Sequence, residues 1–340
     1  MSTAIAPQQT ERRQWHDQRV GRFTASTIGK LMAEPRSKAA KEAGEFSEGA
    51  KTLIAKKATE RVKGAPIHTH ADFSMRRGTL LEHAAIHLLS QHWKPIDACT
   101  YMAYRDNSGA TPDGLVREPG TPTVDIKCKE DESMLLQYAA SVPNNDFEAL
   151  KAWDRDEAYQ IATQAAAAGS TRAYLIYFTD KLPAIRIDDE QAEVCNRIME
   201  MIGEKLFTLT GQPHEYRLCM NDGEYGFAFV ARWFDIPAEV VASINKALDR
   251  AEVECVRMAG MFRDELSRSE EPQVEAEIEQ LVDPVPNDRE RFNAMVHHLK
   301  DFPEPVGLKS AIAQQSYTKI KQHVKAALDI AQGTLTKDLE

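Results

Sequence analysis

No run of about 18 apolar residues occurs anywhere in the 340-residue chain, so no membrane-spanning helix is expected. The opening stretch MSTAIAPQQTERRQWHDQRV lacks the apolar segment of a secretory leader, and the expected location is cytoplasmic. Cysteine is sparse: the five residues Cys99, Cys128, Cys195, Cys219 and Cys255 are far apart and form no C-x-x-C pair. That spacing excludes a disulfide framework, a structural zinc and a cysteine-ligated iron–sulfur cluster. No H-E-x-x-H motif is present. Glu82-His83 and His87 run in another order on one helix, and His68, His70, His297 and His298 lie in polar, loop-like surroundings. A repeat of fixed period is also missing. Finally there is no overall positive charge: the formal net charge is −10.

That total hides an uneven distribution. Residues 1–70 carry 13 Lys+Arg against 7 Asp+Glu, net +6, which leaves 29 against 45, net −16, for the rest. The segment 264–290, DELSRSEEPQVEAEIEQLVDPVPNDRE, holds 10 acidic and 2 basic residues and reads as a linker. Local sign governs contact with a polyanion more than the total does.

Helical patterns cover TASTIGKLMA, EGAKTLIAKKATERVKG (ending at Gly64) and MRRGTLLEHAAIHLLSQHW, where Leu81, Ala84, Ala85, Leu88 and Leu89 repeat at helical spacing beside Glu82. Strand signals follow in ACTYMAY, GLVR and TVDIKCK, separated by RDNSG and EPGT turns. Asp154 then caps a helix through EAYQIATQAAAA to Gly169, and RAYLIYF is a further strand. The expected fold class is α/β, a mixed central sheet flanked by helices, confined to residues 1–211. Residues 212–340 are expected to be a mainly helical C-terminal extension of unassigned role, with one long helix from Pro237, the acidic linker and a terminal helix.

The stretch ATPDGLVREPGTPTVDIKCKE concentrates chemistry. If EPGT is a tight turn, the flanking strands pair antiparallel and Asp113 falls within about one residue of facing Asp125. Strand alternation then puts Asp125 and Lys127 on one face, with Val124, Ile126 and Cys128 on the other. Two adjacent carboxylates repel unless one is protonated or a cation lies between them, and an all-oxygen donor set selects a hard ion such as Mg²⁺. A lysine beside them can orient a water, assist its deprotonation or stabilise charge developing on a phosphoryl oxygen. These groups suit phosphodiester hydrolysis. The plainer account is that Asp113 starts a turn with Gly114 while Asp125 and Lys127 form an edge-strand ion pair.

The arrangement resembles the PD-(D/E)xK nuclease signature, with Pro112-Asp113, Asp125-Ile126-Lys127 and the helix acid Glu82. Asp125 stands where most relatives have Glu. More specifically, residues 12–205 resemble the YqaJ-type viral recombinase and phage lambda exonuclease family. The likeness rests on Trp15, Arg19, Ala25 and Ser26 in WHDQRVGRFTASTIGKLM, on RGTLLE, on ATPDGL and on EAYQIATQ. It implies a PD-(D/E)xK nuclease core and a Mg²⁺-dependent enzyme (Mn²⁺ substituting) that digests one strand of linear double-stranded DNA from its 5′ end. The product is a 3′ single-stranded tail for recombination by strand annealing. The family further implies a ring-shaped homotrimer, a single-strand annealing protein as partner, and a host-cell cytoplasmic setting for a phage or prophage gene product. By residue, it implies catalysis by Glu82, Asp113, Asp125 and Lys127, and metal ligation by Glu82, Asp113, Asp125 and the Ile126 carbonyl. Arg19, Ser26, Thr111 and Gln160 would contact the terminal 5′-phosphate, with Gln164 an alternative to Gln160.

Two other readings share these residues. One is a sequence- or structure-specific endonuclease on the same core. The other is a non-catalytic recombination or assembly protein. Arg19 could also pair with Asp17 or Glu11, Ser26 could simply cap a helix, and Trp15 serves equally as a packing anchor or a base-stacking platform.

Overall fold

A computed structural model describes residues 18–67, 73–210 and 216–269. The chain divides at Arg268, and the architecture below is that of the part before this point. Trp15, His68, His70, the terminal helix and most of the acidic segment lie outside the described residues.

Several helices begin or end where the sequence supplies caps. Helix α1 (Ala25–Leu31) follows the short strand β1 (Phe23–Thr24), and α2 is Lys38–Glu42. Helix α3 (Glu48–Lys63) starts where the Ser47 hydroxyl accepts from Ala50 N–H at 3.3 Å and stops at Gly64, whose φ of 62° is left-handed. Helix α4 (Phe73–His92) follows. Four short strands and a longer one come next: β2 (Ile96–Ala98), β3 (Met102–Arg105), β4 (Ser108–Ala110), β5 (Gly114–Val116) and β6 (Thr123–Cys128). Helices α5 (Ser133–Ser141), α6 (Phe147–Trp153) and α7 (Arg155–Ala167) cross over to β7 (Arg172–Thr179). Asp154 caps α7, accepting from Glu157 N–H at 2.9 Å. The remainder is β8 (Ile185–Ile187), α8 (Asp189–Thr210), β9 (Met220–Asn221), β10 (Glu224–Asp235) and α9 (Ala238–Ser269).

The main sheet runs β2-β5-β6-β7-β10-β8, with β9 paired to β10. Strands β6 and β7 are parallel, which is why three helices separate them. The other strand pairs of this sheet are antiparallel. One face packs against α4 and α8 through Leu81, Leu88, Val124, Ile126, Ile176 and Phe227. The opposite face packs against α1, α3, α5, α6, α7 and α9 through Ile28, Ile54, Leu150, Ile161, Leu175 and Leu248. A mixed sheet between helical layers is therefore present, as the sequence implied. A second, small sheet has the order β1-β4-β3.

The structure corrects several expectations. The sheet does not end near residue 211: β10 lies between β7 and β8 and pairs with β7 from Ala228 to Asp235. Helix α9 also packs on the core, through Ile244, Leu248, Ala251 and Cys255, rather than standing apart from it. The start of the expected acidic linker, 264–269, is helical within α9. The ACTYMAY signal splits into the end of β2 and part of β3, which belong to different sheets, and RDNSG contains the start of β4.

Candidate active site

Strands β5 and β6 pair with Gly114 opposite Val124 and Leu115 opposite Thr123, so the same register carries Asp113 opposite Asp125. The Asp113 N–H donates to Val124 O at 3.0 Å, and the chain reverses through Gly120 (φ 83°) and Thr121 (φ 43°). Gly114 is required here by close packing. An added Cβ would meet Ile96 Cγ2 at 2.3 Å and Asp97 O at 2.9 Å. Thus the Pro-Asp-Gly sequence lets β2 close over the strand that presents Asp113.

The groups around the hairpin arrive from both layers. Glu82 comes from α4, which covers the Val124/Ile126 face, while α7 covers the Asp125 face. Asp113 Oδ2 accepts from Ile126 N–H at 2.6 Å. Asp125 is 2% exposed, and its Oδ1 accepts from Gln160 Nε2 at 2.7 Å and Gln164 Nε2 at 2.8 Å. Lys127 Nζ lies 2.6 Å from Asp125 Oδ2 and donates to Gln160 Oε1 at 3.3 Å. The Lys127 ammonium is thus the ionic partner of the buried Oδ2.

Crowding of like charges shows in the ionisation of these groups. Burial, then Asp125, pushes the Glu82 carboxyl up to about 7, although Lys127 and a hydrogen bond with Asp113 oppose the rise. Burial, then Asp125 and Glu82, raises Asp113 well above the ordinary carboxylate range. Burial alone would lower Lys127, but Asp125, Glu157 and Asp113 together raise it. Burial and mutual repulsion thus favour the protonated forms of Glu82 and Asp113, while the Lys127 ammonium lies against Asp125.

Among the described residues, no group of three or more His, Cys, Asp or Glu side chains stands at metal-ligating spacing. The donor chemistry nonetheless fits a hard divalent cation. Three carboxyls are close enough to perturb one another, an all-oxygen donor set of the kind such an ion takes.

The residues expected to hold a terminal phosphate fall along the neighbouring small sheet. Thr24 pairs with Gly109, and its hydroxyl is 3.3 Å from that of Ser26, which is exposed at the start of α1. Thr111, two residues beyond Gly109, has a buried hydroxyl with no hydrogen-bond partner. Arg19 lies in a turn tied to α3, where Gly21 N–H donates to Glu60 Oε2 at 3.0 Å and Arg61 Nε donates to Gly21 O at 2.9 Å. Burial lowers the Arg19 pKa, against the pull of Tyr101 and Glu60. Asp17 and Glu11, its alternative partners, lie outside the described residues. Gln160 and Gln164 both face the acid cluster and bond Asp125 rather than an open pocket. The His83 and His87 rings make only local contacts on α4, with Thr79 O and Gln91.

Glu157, Lys129 and the Arg77–Asp180 pair were not singled out from sequence. Glu157 sits one turn before Gln160 and Lys129 two residues after Lys127, and that spacing is the signal that would have found both. Arg77 and Asp180 are 3% and 0% exposed in their side chains and form a 2.8 Å ion pair between α4 and the end of β7.

No family model and no curated protein matches the chain. Similar solved structures include the alkaline exonuclease LHK-Exo from Laribacter hongkongensis, at 17% identity and a TM-score of 0.48, over 75% of this chain and 98% of that one. The same exonuclease in complex with dAMP gives 17% and 0.47 over the same shares. A phage-related exonuclease from Haemophilus somnus 129PT gives 16% and 0.43, over 72% and 96%.

Proposed function

We propose that this chain is a divalent-metal-dependent deoxyribonuclease that digests one strand of linear double-stranded DNA from the 5′ end. The observation that carries the reading is the convergence of Glu82, Asp113, Asp125 and Lys127 at one hairpin, with two carboxyls driven up in pKa by burial and by each other. Such a cluster is costly to hold for structure alone.

Glu82, Asp113, Asp125 and the Ile126 carbonyl would hold the cation, of the Mg²⁺ class with Mn²⁺ as substitute, which would supply Lewis-acid polarisation of the phosphoryl group. The chain's own groups do the rest. Lys127, released from Asp125, places an ammonium where negative charge grows on the phosphoryl oxygens. Gln160 and Gln164 fix the Asp125 carboxylate through Oδ1 and leave Oδ2 to Lys127. Arg19, Ser26 and Thr111, with Gln160, form the proposed grip on the terminal phosphate; the guanidinium fork and neutral donors suit its oxygens.

The setting that goes with this reading is a homotrimeric ring in the host cytoplasm, paired with a single-strand annealing protein in recombination. The test compares initial rates on linear duplexes ending in 5′-phosphate or 5′-hydroxyl, and on closed circular duplex. Wild type should prefer the phosphorylated end and leave the circle intact, and Arg19→Ala should lose most of that preference. Rapid cutting of the circle would instead assign an endonuclease.

A further inference from the structure

The polar row on β6 continues past Lys127. Side chains alternate along a strand, so Asp125, Lys127 and Lys129 share one face at intervals of about 6.5 Å. Lys129 N–H donates to Phe178 O at 2.8 Å, which carries the parallel ladder with β7 one residue beyond Cys128. The side chain at 129 is thus held in register with the catalytic cluster.

Its ammonium is also held. Lys129 Nζ donates to Glu157 Oε1 at 3.3 Å and stands 4.2 Å from the centroid of the Tyr177 ring. The Tyr177 hydroxyl donates to Glu157 Oε2 at 2.7 Å and accepts from Trp153 Nε1 at 2.9 Å. Tyr177 in turn stacks on Tyr138, with centroids 4.1 Å apart. The Glu157 side chain is 11% exposed while that of Lys129 is 25% exposed, so a buried acid and aromatic layer support a partly open cation. Burying a carboxylate to hold a surface lysine is unfavourable unless the geometry matters, since solvent would satisfy the ammonium at no cost. No step of phosphodiester hydrolysis described above uses either residue.

We propose that Lys129 is a substrate-binding residue that contacts the DNA backbone phosphate adjacent to the scissile one, with Glu157 and Tyr177 as positioning residues. This rests on the nuclease reading. A nucleic-acid strand presents charges at regular intervals, and one face of a β-strand presents side chains at regular intervals; the row Asp125, Lys127, Lys129 matches reacting site to neighbouring phosphate. An ammonium has three donors, so one can remain on Glu157 while another meets a phosphate oxygen. Phosphate contacts of this kind set the register of the substrate without reading its sequence.

The test is anisotropy of a 5′-phosphorylated linear duplex with the full chain, in chelator so that no cleavage occurs, over a range of salt. Lys129→Ala should lower the magnitude of the slope of log affinity against log salt by about 0.7–0.9, the value of one phosphate contact, and weaken binding several-fold. Lys129→Arg should restore the slope. Because removing the lysine alone strands a buried acid, the double variant Lys129→Ala, Glu157→Gln is measured as well and should show the same loss with a wild-type melting curve. A wild-type slope in both alanine variants would overturn the assignment while leaving the nuclease reading intact. Absence of salt-dependent duplex binding by wild type would overturn both, so the two failures are distinguishable.

Discussion

At Asp113 the protein holds a carboxyl against its own tendency to ionise. A carboxyl whose folded pKa exceeds its unfolded value removes stability as pH rises between the two. For Glu82 that window runs from roughly 4.3, the unfolded value, up to about 7, and Asp113 acts in the same direction. In chelator, wild type is therefore expected to melt lower at pH 8 than at pH 5. Asp113→Asn should recover a few degrees of the difference at pH 8 while lowering cleavage by orders of magnitude. Melting curves at the two pH values check the first statement, and a variant less stable than wild type at pH 8 would contradict it. The Asp113, Asp125 and Lys127 placement was legible because a short turn and strand alternation fix it locally. What Asp125 bonds to was not, since Gln160 and Gln164 reach it only through the way α7 crosses β6, a tertiary event with no local signature.

Helices were the most legible elements, because Gly64 and Asp154 announce their ends in residue type. Strands were less so. The three residues of β4 contain a glycine and follow turn-like sequence, and only pairing with β1 and β3 makes them a strand. In β10 the residues Tyr225, Phe227, Phe229, Val230, Trp233 and Phe234 do mark a strand, but its place beside β7 is set by contacts far along the chain. A chain cut at 211 loses β10 and α9 and exposes β7 as a sheet edge, so it should fail to fold cooperatively, whereas one cut after Ser269 should fold; circular dichroism on thermal melting separates them. Between elements, Asp180 accepts from Arg77, from the Tyr216 hydroxyl at 2.7 Å and from Cys219 N–H at 3.0 Å. Arg77→Ala leaves that carboxylate buried without its cation and should cost about 3–5 kcal/mol in urea unfolding. A loss below about 1 kcal/mol would show that the pair does not brace α4 against β7.

For the molecule as a whole, the acidic total and the basic N-terminal part differ in sign. Under the proposed function the net +6 of residues 1–70 would favour contact with DNA, and the proposed ring would keep the duplex threaded between cuts. Sedimentation should give a species of three times 38.1 kDa, and a stable monomer that digests processively would exclude the ring. The central claim, that the β5–β6 hairpin with Glu82 is a cation-dependent phosphodiesterase site, is tested most directly by nucleotide release from linear duplex DNA. Wild type, Asp113→Asn and Lys127→Ala are compared with Mg²⁺ and with chelator. The account predicts release only from wild type with Mg²⁺, and a fall of orders of magnitude in the other combinations. Undiminished release in chelator, or by Asp113→Asn with Mg²⁺, would contradict it.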